Sequence, residues 1–205
     1  MEIKTDYEFD VFISYCRLKE WPFWVKEHFK PLFEHWLSTE LGREARVFVD
    51  FEMETGVSWP HHLGQKLARS AVLVPLWTRN YFASKWCITE LAHVLAREKA
   101  CSFRTSERPQ GLIVPAILHD GDRFPHEIKH INHVNLCEYV NIRMASKSQT
   151  AEELDRRIRD WMPGVAKAIE CAPPYDPAWD TLAADDFIQK YHEGAPTQTS
   201  IPRFV

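Results

Sequence analysis

Residues 71–91 read AVLVPLWTRNYFASKWCITEL. From Ala71 to Leu76 the chain is apolar and rich in branched side chains, with no polar residue alternating between them. A strand covered on both faces reads this way, whereas a strand with one wet face alternates. After a short connection the period changes. On a wheel centred on Leu91, Cys87, Ile88, Val94 and Leu95 share one apolar arc, and Ser84 stands where an N-cap belongs. The spacing predicts a helix from Ser84 to Lys99. A buried strand leading into an amphipathic helix is one unit of a parallel α/β sheet.

The unit repeats along the chain. Phe9 to Ser14, Ala45 to Val49, Gly111 to Leu118 and Val134 to Val140 are further apolar runs predicted as strands. Proline removes a ladder donor, so Pro75 is placed at a strand end. Pro115 has no account in the pattern. Helical spacing marks Trp21 to Leu41, Pro60 to Ala68 with Ser58 as a cap, and Glu152 to Ile169. Pro31 is expected to kink or split the first of these, with Gly42 ending it, and Pro163-Gly164 to break the last. Five strands alternating with helices predict a flavodoxin-like three-layer α/β fold around a five-stranded parallel sheet. Its ligands should lie at the C-terminal strand ends, here Tyr15 to Glu20, Asp50 to Ser58 and Trp77 to Ser84.

Residues 1–171 are expected to form this domain, and 172–205 a Pro-rich, acidic tail. Within the tail, Ala172 to Pro177 is turn-rich and Asp180 to His192 can form a helix. Its aromatics, Tyr175, Trp179, Phe187 and Tyr191, should dock on the domain rather than build a ligand box.

With 45% hydrophobic and 26% charged residues, the chain of 205 reads as folded rather than disordered. A net charge of -4 gives no general case for nucleic acid or an anionic membrane as partner. The five cysteines are scattered without a CxxC pair, which reads as reduced thiols in a cytoplasmic protein. No basic-then-apolar leader opens the sequence and no apolar run is long enough to span a bilayer. Only seven glycines are present, with no Walker loop and no GxGxxG.

Trp86 and Glu90 stand four apart on the predicted helix, one above the other on its surface. On the wheel Glu90 falls with Trp86, His93 and Arg97 on a stripe beside the apolar arc, at the margin between core and solvent. From periodicity alone such a glutamate is a solvated surface residue. Two other constellations compete. His126-Glu127-Ile128-Lys129-His130 matches HExxH, in which two histidines one turn apart hold zinc beside a glutamate base. It lies between two predicted strands without a long helix to carry it, and a polar loop is the better reading. Cys87 falls on the apolar arc and reads as a small core hydrophobe, not a nucleophile.

Several ordered segments together resemble the TIR (Toll/interleukin-1 receptor) domain family, and specifically its bacterial NAD-cleaving members. Phe9-Asp10-Val11-Phe12-Ile13-Ser14-Tyr15 is similar to the family's first box. Val47-Phe48-Val49-Asp50, followed by Gly56 and Trp59, is similar to its second strand and following loop. Leu67-Ala68-Arg69-Ser70, then Tyr81, Ser84, Trp86-Cys87 and Glu90-Leu91, resembles its most specific segment, and Ile113-Val114-Pro115-Ala116 its fourth strand. The loop after Ser14-Tyr15 lacks the usual aspartate, and residues 51–59 lack the Arg-Asp…Pro-Gly signature of animal adaptors. The likeness spans residues 7 to 170. It implies an NAD glycohydrolase or cyclase with Glu90 as catalytic carboxylate. It implies Trp86 as a stacking wall, and Tyr15, Arg17, Asp50, Ser58 and Ser84 as substrate contacts. NAD would be a substrate, with no cofactor and no metal. It further implies activation by self-association or a protein trigger, and a downstream effector that reads an ADP-ribose product, as in antiphage systems of the Thoeris type. The other TIR role is a non-catalytic module that signals by self-assembly.

Overall fold

Five strands form one all-parallel sheet: β1 (Phe9–Tyr15), β2 (Val47–Val49), β3 (Ser70–Trp77), β4 (Ala116–Ile117) and β5 (Val134–Asn135). Their order is β2-β1-β3-β4-β5, the flavodoxin-like order predicted. This computed structural model describes residues 7–49, 59–120, 124–125, 128, 130–181, 185 and 189. Asp50, Gly56 and Ser58, the side chain of Trp59, and His126 and Glu127 of the HExxH match lie outside the described residues, as does most of the tail beyond residue 181.

The centre of the sheet follows from residue type. Every residue of β3 is buried, and all of β1 after Phe9. Val11, Phe12 and Ile13 pair with Val72, Leu73 and Val74, two branched apolar runs in register. The outer strands are shorter than their apolar runs predict. Leu73 donates to the Leu112 carbonyl at 2.8 Å and accepts from Val114 at 2.9 Å, and the strands pair again at Leu76–Ala116 and Trp77–Ile117, beyond which Leu118 donates to the Trp77 carbonyl at 2.9 Å. Side alternates along a strand, so Pro75 faces the same neighbour and lacks the N–H it would contribute. The ladder is therefore reduced to a bridge at Ile113 and a pairing at Ala116–Ile117. Pro75 thus lies within β3, not at its end. Pro115 costs little, because its carbonyl accepts from Val134 and its missing N–H would face chain that has not yet entered β5. Beyond Asn135 the expected strand turns instead into one 3₁₀ turn, Cys137–Tyr139.

The long N-terminal helix does not split at Pro31. It runs as α1 (Trp21–Trp24), a π-turn (Val25–Phe29) and α2 (Lys30–Leu41), ending at Gly42 in the left-handed conformation, φ 65°. The wide turn, in which Lys30 donates to the Val25 carbonyl, lets the proline ring follow without ending the helix. α3 (Trp59–Ala68) precedes β3. A helix the pattern did not show, α4 (Arg79–Ala83), follows β3, capped by Thr78. α5 (Lys85–Ala100) begins at Ser84, which accepts from the Cys87 amide at 3.4 Å. α6 (Gln149–Cys171) is unbroken through Pro163-Gly164. Both residues face solvent, where water can serve the carbonyl that the proline leaves without a donor. No helix among the described residues is long and apolar enough to cross a membrane, and all five cysteines are free thiols.

The buried face of α5 differs from the wheel reading. Ile88 is 38% exposed, whereas Glu90, His93, Arg97 and Glu98 are buried. Three of these charges serve groups elsewhere in the fold. Arg97 donates to the carbonyls of Ser70 at 3.1 Å and Ala71 at 3.2 Å, tying α5 to the end of α3 and the start of β3. Glu98 accepts from the amides of Leu112 and Ile113 and pairs with Arg104 at 2.7 Å. Glu90 accepts from a serine hydroxyl. Such hydrogen bonds offset the cost of burying charge, although Arg97 Nε is left without a partner.

The chain after α6 returns to this stripe. Pro173 accepts from the Tyr7 hydroxyl at 2.9 Å, Tyr175 meets the Tyr7 ring edge-on, and Trp179 lies over the Arg97 guanidinium at 5.1 Å. Asp180 pairs with Arg69 at 2.7 Å. Trp179→Ala should lower stability by about 2 kcal/mol, since it uncovers a buried guanidinium and removes a cation–π contact. Trp179→Phe should restore most of it. A thermal melt of Trp179→Ala indistinguishable from wild type would remove the tail from the stability of the domain.

Candidate functional site

At the C-terminal ends of β1 and β3, three polar side chains meet inside the core. Ser14, the last residue but one of β1, is 1% exposed. Tyr81 is fully buried in α4, and Glu90 is 5% exposed in the second turn of α5. The Ser14 hydroxyl contacts both, Tyr81 Oη at 3.0 Å and Glu90 Oε2 by a short hydrogen bond. A hydroxyl carries one proton, and a carboxylate can only accept. The bonds therefore run in sequence: Tyr81 donates to Ser14, and Ser14 donates to Glu90. Burial, with the negative charge of the Cys87 and Glu90 groups beside it, holds the Tyr81 phenol well above its ordinary value of 10, so it remains a donor.

The sequence elements explain the meeting. β1 delivers Ser14 because Val11, Phe12 and Ile13 before it are buried in the centre of the sheet, and the register pairs Ser14 with Pro75. Thr78 caps α4, accepting from the Tyr81 amide at 3.1 Å, and turns the phenol inward. Ser84 starts α5, which sets Glu90 on its buried side. Glu90 is therefore in the core and not at the margin that the wheel placed it on.

Trp86, one turn before Glu90 on α5, is partly buried against the core. Tyr15 ends β1 and is 6% exposed, while Arg17 is exposed in the loop beyond it. Ser84 is half-buried and its hydroxyl is engaged as the cap. Trp86 and Glu90 thus lie one turn apart on α5, with Ser84 as its N-cap and Tyr15 at the end of β1. Asp50 and Ser58 lie outside the described residues. Cys87 is 3% exposed within the core. Ser14 and Tyr81 were not predicted as site residues. The available signal was a lone hydroxyl ending an apolar strand.

A family profile described as TIR domain matches residues 11–154, well over half of the chain. This chain belongs to the TIR-domain family. No curated protein sequence matches it. Among solved structures, the TIR domain is similar to that of the Toll-related receptor TRR-2 from the lower metazoan Hydra magnipapillata. That likeness has 17% identity, covers 74% of this chain and 98% of that one, and has a TM-score of 0.46. It is also similar to the TIR domains of the activated Roq1 resistosome, a structure directly recognising the pathogen effector XopQ. There the identity is 18%, over 89% of this chain and 99% of that one, with a TM-score of 0.40.

Among the described residues of the TIR domain, no group of three His, Cys, Asp or Glu side chains is placed to hold a metal. A chelator should leave its thermal stability unchanged. Stoichiometric zinc in the purified protein, with a melting point lowered on chelation, would restore the HExxH reading.

Proposed function

We propose that this TIR domain cleaves NAD at the bond between nicotinamide and ribose, with Glu90 as the catalytic carboxylate. The observation that carries the reading is a buried carboxylate, held by Ser14 at the C-terminal edge of the sheet, one helical turn from Trp86. The chemistry asks for one carboxylate and no general acid. Nicotinamide is joined to ribose as a cation and leaves neutral, taking the bonding electron pair with it. Positive charge then builds on the ribose, and a fixed carboxylate beside it stabilises that charge. Burial strengthens the effect, since little water screens the pair. Trp86 supplies an aromatic face for a cationic or heteroaromatic ring. Addition of water to the ribose gives ADP-ribose, and addition of a hydroxyl or ring nitrogen of the same molecule gives a cyclic product. Tyr15, Arg17, Asp50, Ser58 and Ser84 are the proposed contacts around the substrate.

Self-association belongs to the same proposal. Leu18 at 41%, Phe23 at 52% and Ile88 at 38% are large apolar side chains left exposed. Leu18 and Ile88 follow β1 and Trp86 respectively, so an apolar partner surface there would border the site. We assign the product to cytoplasmic nucleotide signalling, with an effector that reads it in antiphage defence. The test is nicotinamide release and product mass from NAD incubated with the purified chain over a range of protein concentrations. No nicotinamide from dilute or clustered protein would reject the enzyme and leave the self-assembling module.

A further inference from the structure

A cavity of about 470 Å³ lies between α6 and the starts of β4 and β5. It shares no lining residue with the Ser14–Tyr81–Glu90 cluster. Its volume is in the range of small-molecule sites. The floor is apolar, formed by Ile113, Val134 and Ala168, and Trp161 stands in the wall. Trp161 is kept in place by Phe33, whose ring it meets edge-on at 5.6 Å. The room is left by Gly164, where an added Cβ would meet nothing within 4 Å.

Three cations border this floor, of which Arg104 pairs with Glu98 and Lys167 lies 3.4 Å from the Glu170 carboxylate. Arg157 and Lys167 stand exposed on α6 at the rim, with Asp160 as the acid between them. Arg104 enters from the chain before β4. Its Nε and Nη2 are spent on the Glu98 carboxylate at 2.7 and 3.1 Å, and Nη2 also donates to the Ile113 carbonyl at 2.9 Å. That leaves the two N–H groups of Nη1 on a guanidinium already fixed in orientation. The arrangement depends on Gly111, because a Cβ there would lie 2.1 Å from Arg104 Nη2. A fixed guanidinium loses little freedom on binding an anion.

We infer that this cavity is a second small-molecule site that takes a nucleotide-class ligand, phosphates toward Arg157, Lys167 and Arg104 and its planar ring against Trp161. Phosphate is recognised by arginine forks and lysine charge, and an aromatic wall beside them selects a ligand that also carries a ring. The inference does not rest on NAD cleavage at Glu90.

Calorimetric titration of the full chain with adenosine diphosphate, near physiological salt, tests it. Saturable binding is expected, with inorganic pyrophosphate weaker by at least about tenfold because it lacks the ring. Arg157→Ala with Lys167→Ala should weaken the diphosphate by at least about tenfold. Gly164→Phe, whose side chain would extend from the cavity lining into the open space there, should block it while the protein stays folded by circular dichroism. The binding that the double variant removes should remain in Trp86→Ala, since Trp86 is not in the cavity lining. The inference is overturned by absence of saturable binding, by equal affinity for pyrophosphate, by an unaffected double variant, or by binding that only Trp86→Ala weakens. The last outcome would assign the nucleotide to the site near Glu90.

Discussion

Replacing Glu90 by glutamine should lower NAD cleavage by a factor of about a thousand or more, the cost typical of removing a fixed charge-stabilising group. The melting temperature should scarcely move. Glutamine has the volume of glutamate and keeps a carbonyl oxygen for the Ser14 hydroxyl, so the buried contact survives while the charge does not. Alanine at the same position should act differently. Read from the helical wheel, Glu90 stands beside the core and its loss costs little stability. Its burial reverses that. Glu90→Ala takes the acceptor from the buried Ser14 hydroxyl, which still accepts from Tyr81 but can no longer donate, a penalty of about 1–3 kcal/mol for an unsatisfied buried polar group. The pair of variants separates charge from packing. Ser14→Ala should fall between them, since the carboxylate remains but its orientation is released. Nicotinamide release by Glu90→Gln at the wild-type rate would remove Glu90 from the chemistry.

How far these relations were legible depends on their reach along the chain. β1, β3 and α5 are readable because their signals are local: the runs Val11 to Ile13 and Ala71 to Leu76, and a serine in the capping position before Lys85. The truncation of β4 is only half legible. Pro75 and Pro115 are visible, but which neighbour each would have bonded depends on register, and register is set by pairing across the sheet. The buried stripe of α5 is not legible at all from one helix. A wheel turns charges outward because an unpaired buried charge is costly, and the partners that cancel the cost are distant in sequence. Ser14 lies 76 residues from Glu90 and 67 from Tyr81, and the backbone carbonyls that hold Arg97 belong to another strand and helix. The resemblance to the family located Glu90. Only the fold showed what holds it.

The second large effect is expected at the opposite end of β1. Asp10 is 0% exposed and accepts four hydrogen bonds from two arginines: Arg43 Nη1 at 2.7 Å and Nη2 at 2.8 Å, and Arg46 N at 2.8 Å and Nη2 at 3.0 Å. Burial alone would raise its pKa, but the hydrogen bonds from Arg43 and Arg46 outweigh it and hold the carboxyl below the ordinary 3.8. This cluster joins the end of α2 to β2 and β1, so Asp10→Asn loosens three elements at once. Removing one partner of a buried ion pair costs about 3–5 kcal/mol when the remaining charge is trapped. Here both arginines are 44% exposed and can turn to water, so the loss should lie near about 3 kcal/mol. The pH dependence follows from the same depressed pKa. The contribution is fully present above the unfolded carboxyl value, and it is lost as pH falls through the lower folded value. Wild type should therefore lose stability on acidification below about pH 4, and Asp10→Asn should lose less over the same interval. Urea unfolding of both proteins at neutral pH and at stepwise lower pH measures the two effects together. Parallel stability curves for the two, separated by a constant amount down through the acid range, would show that Asp10 is not the acid-labile tie between β1 and its arginines.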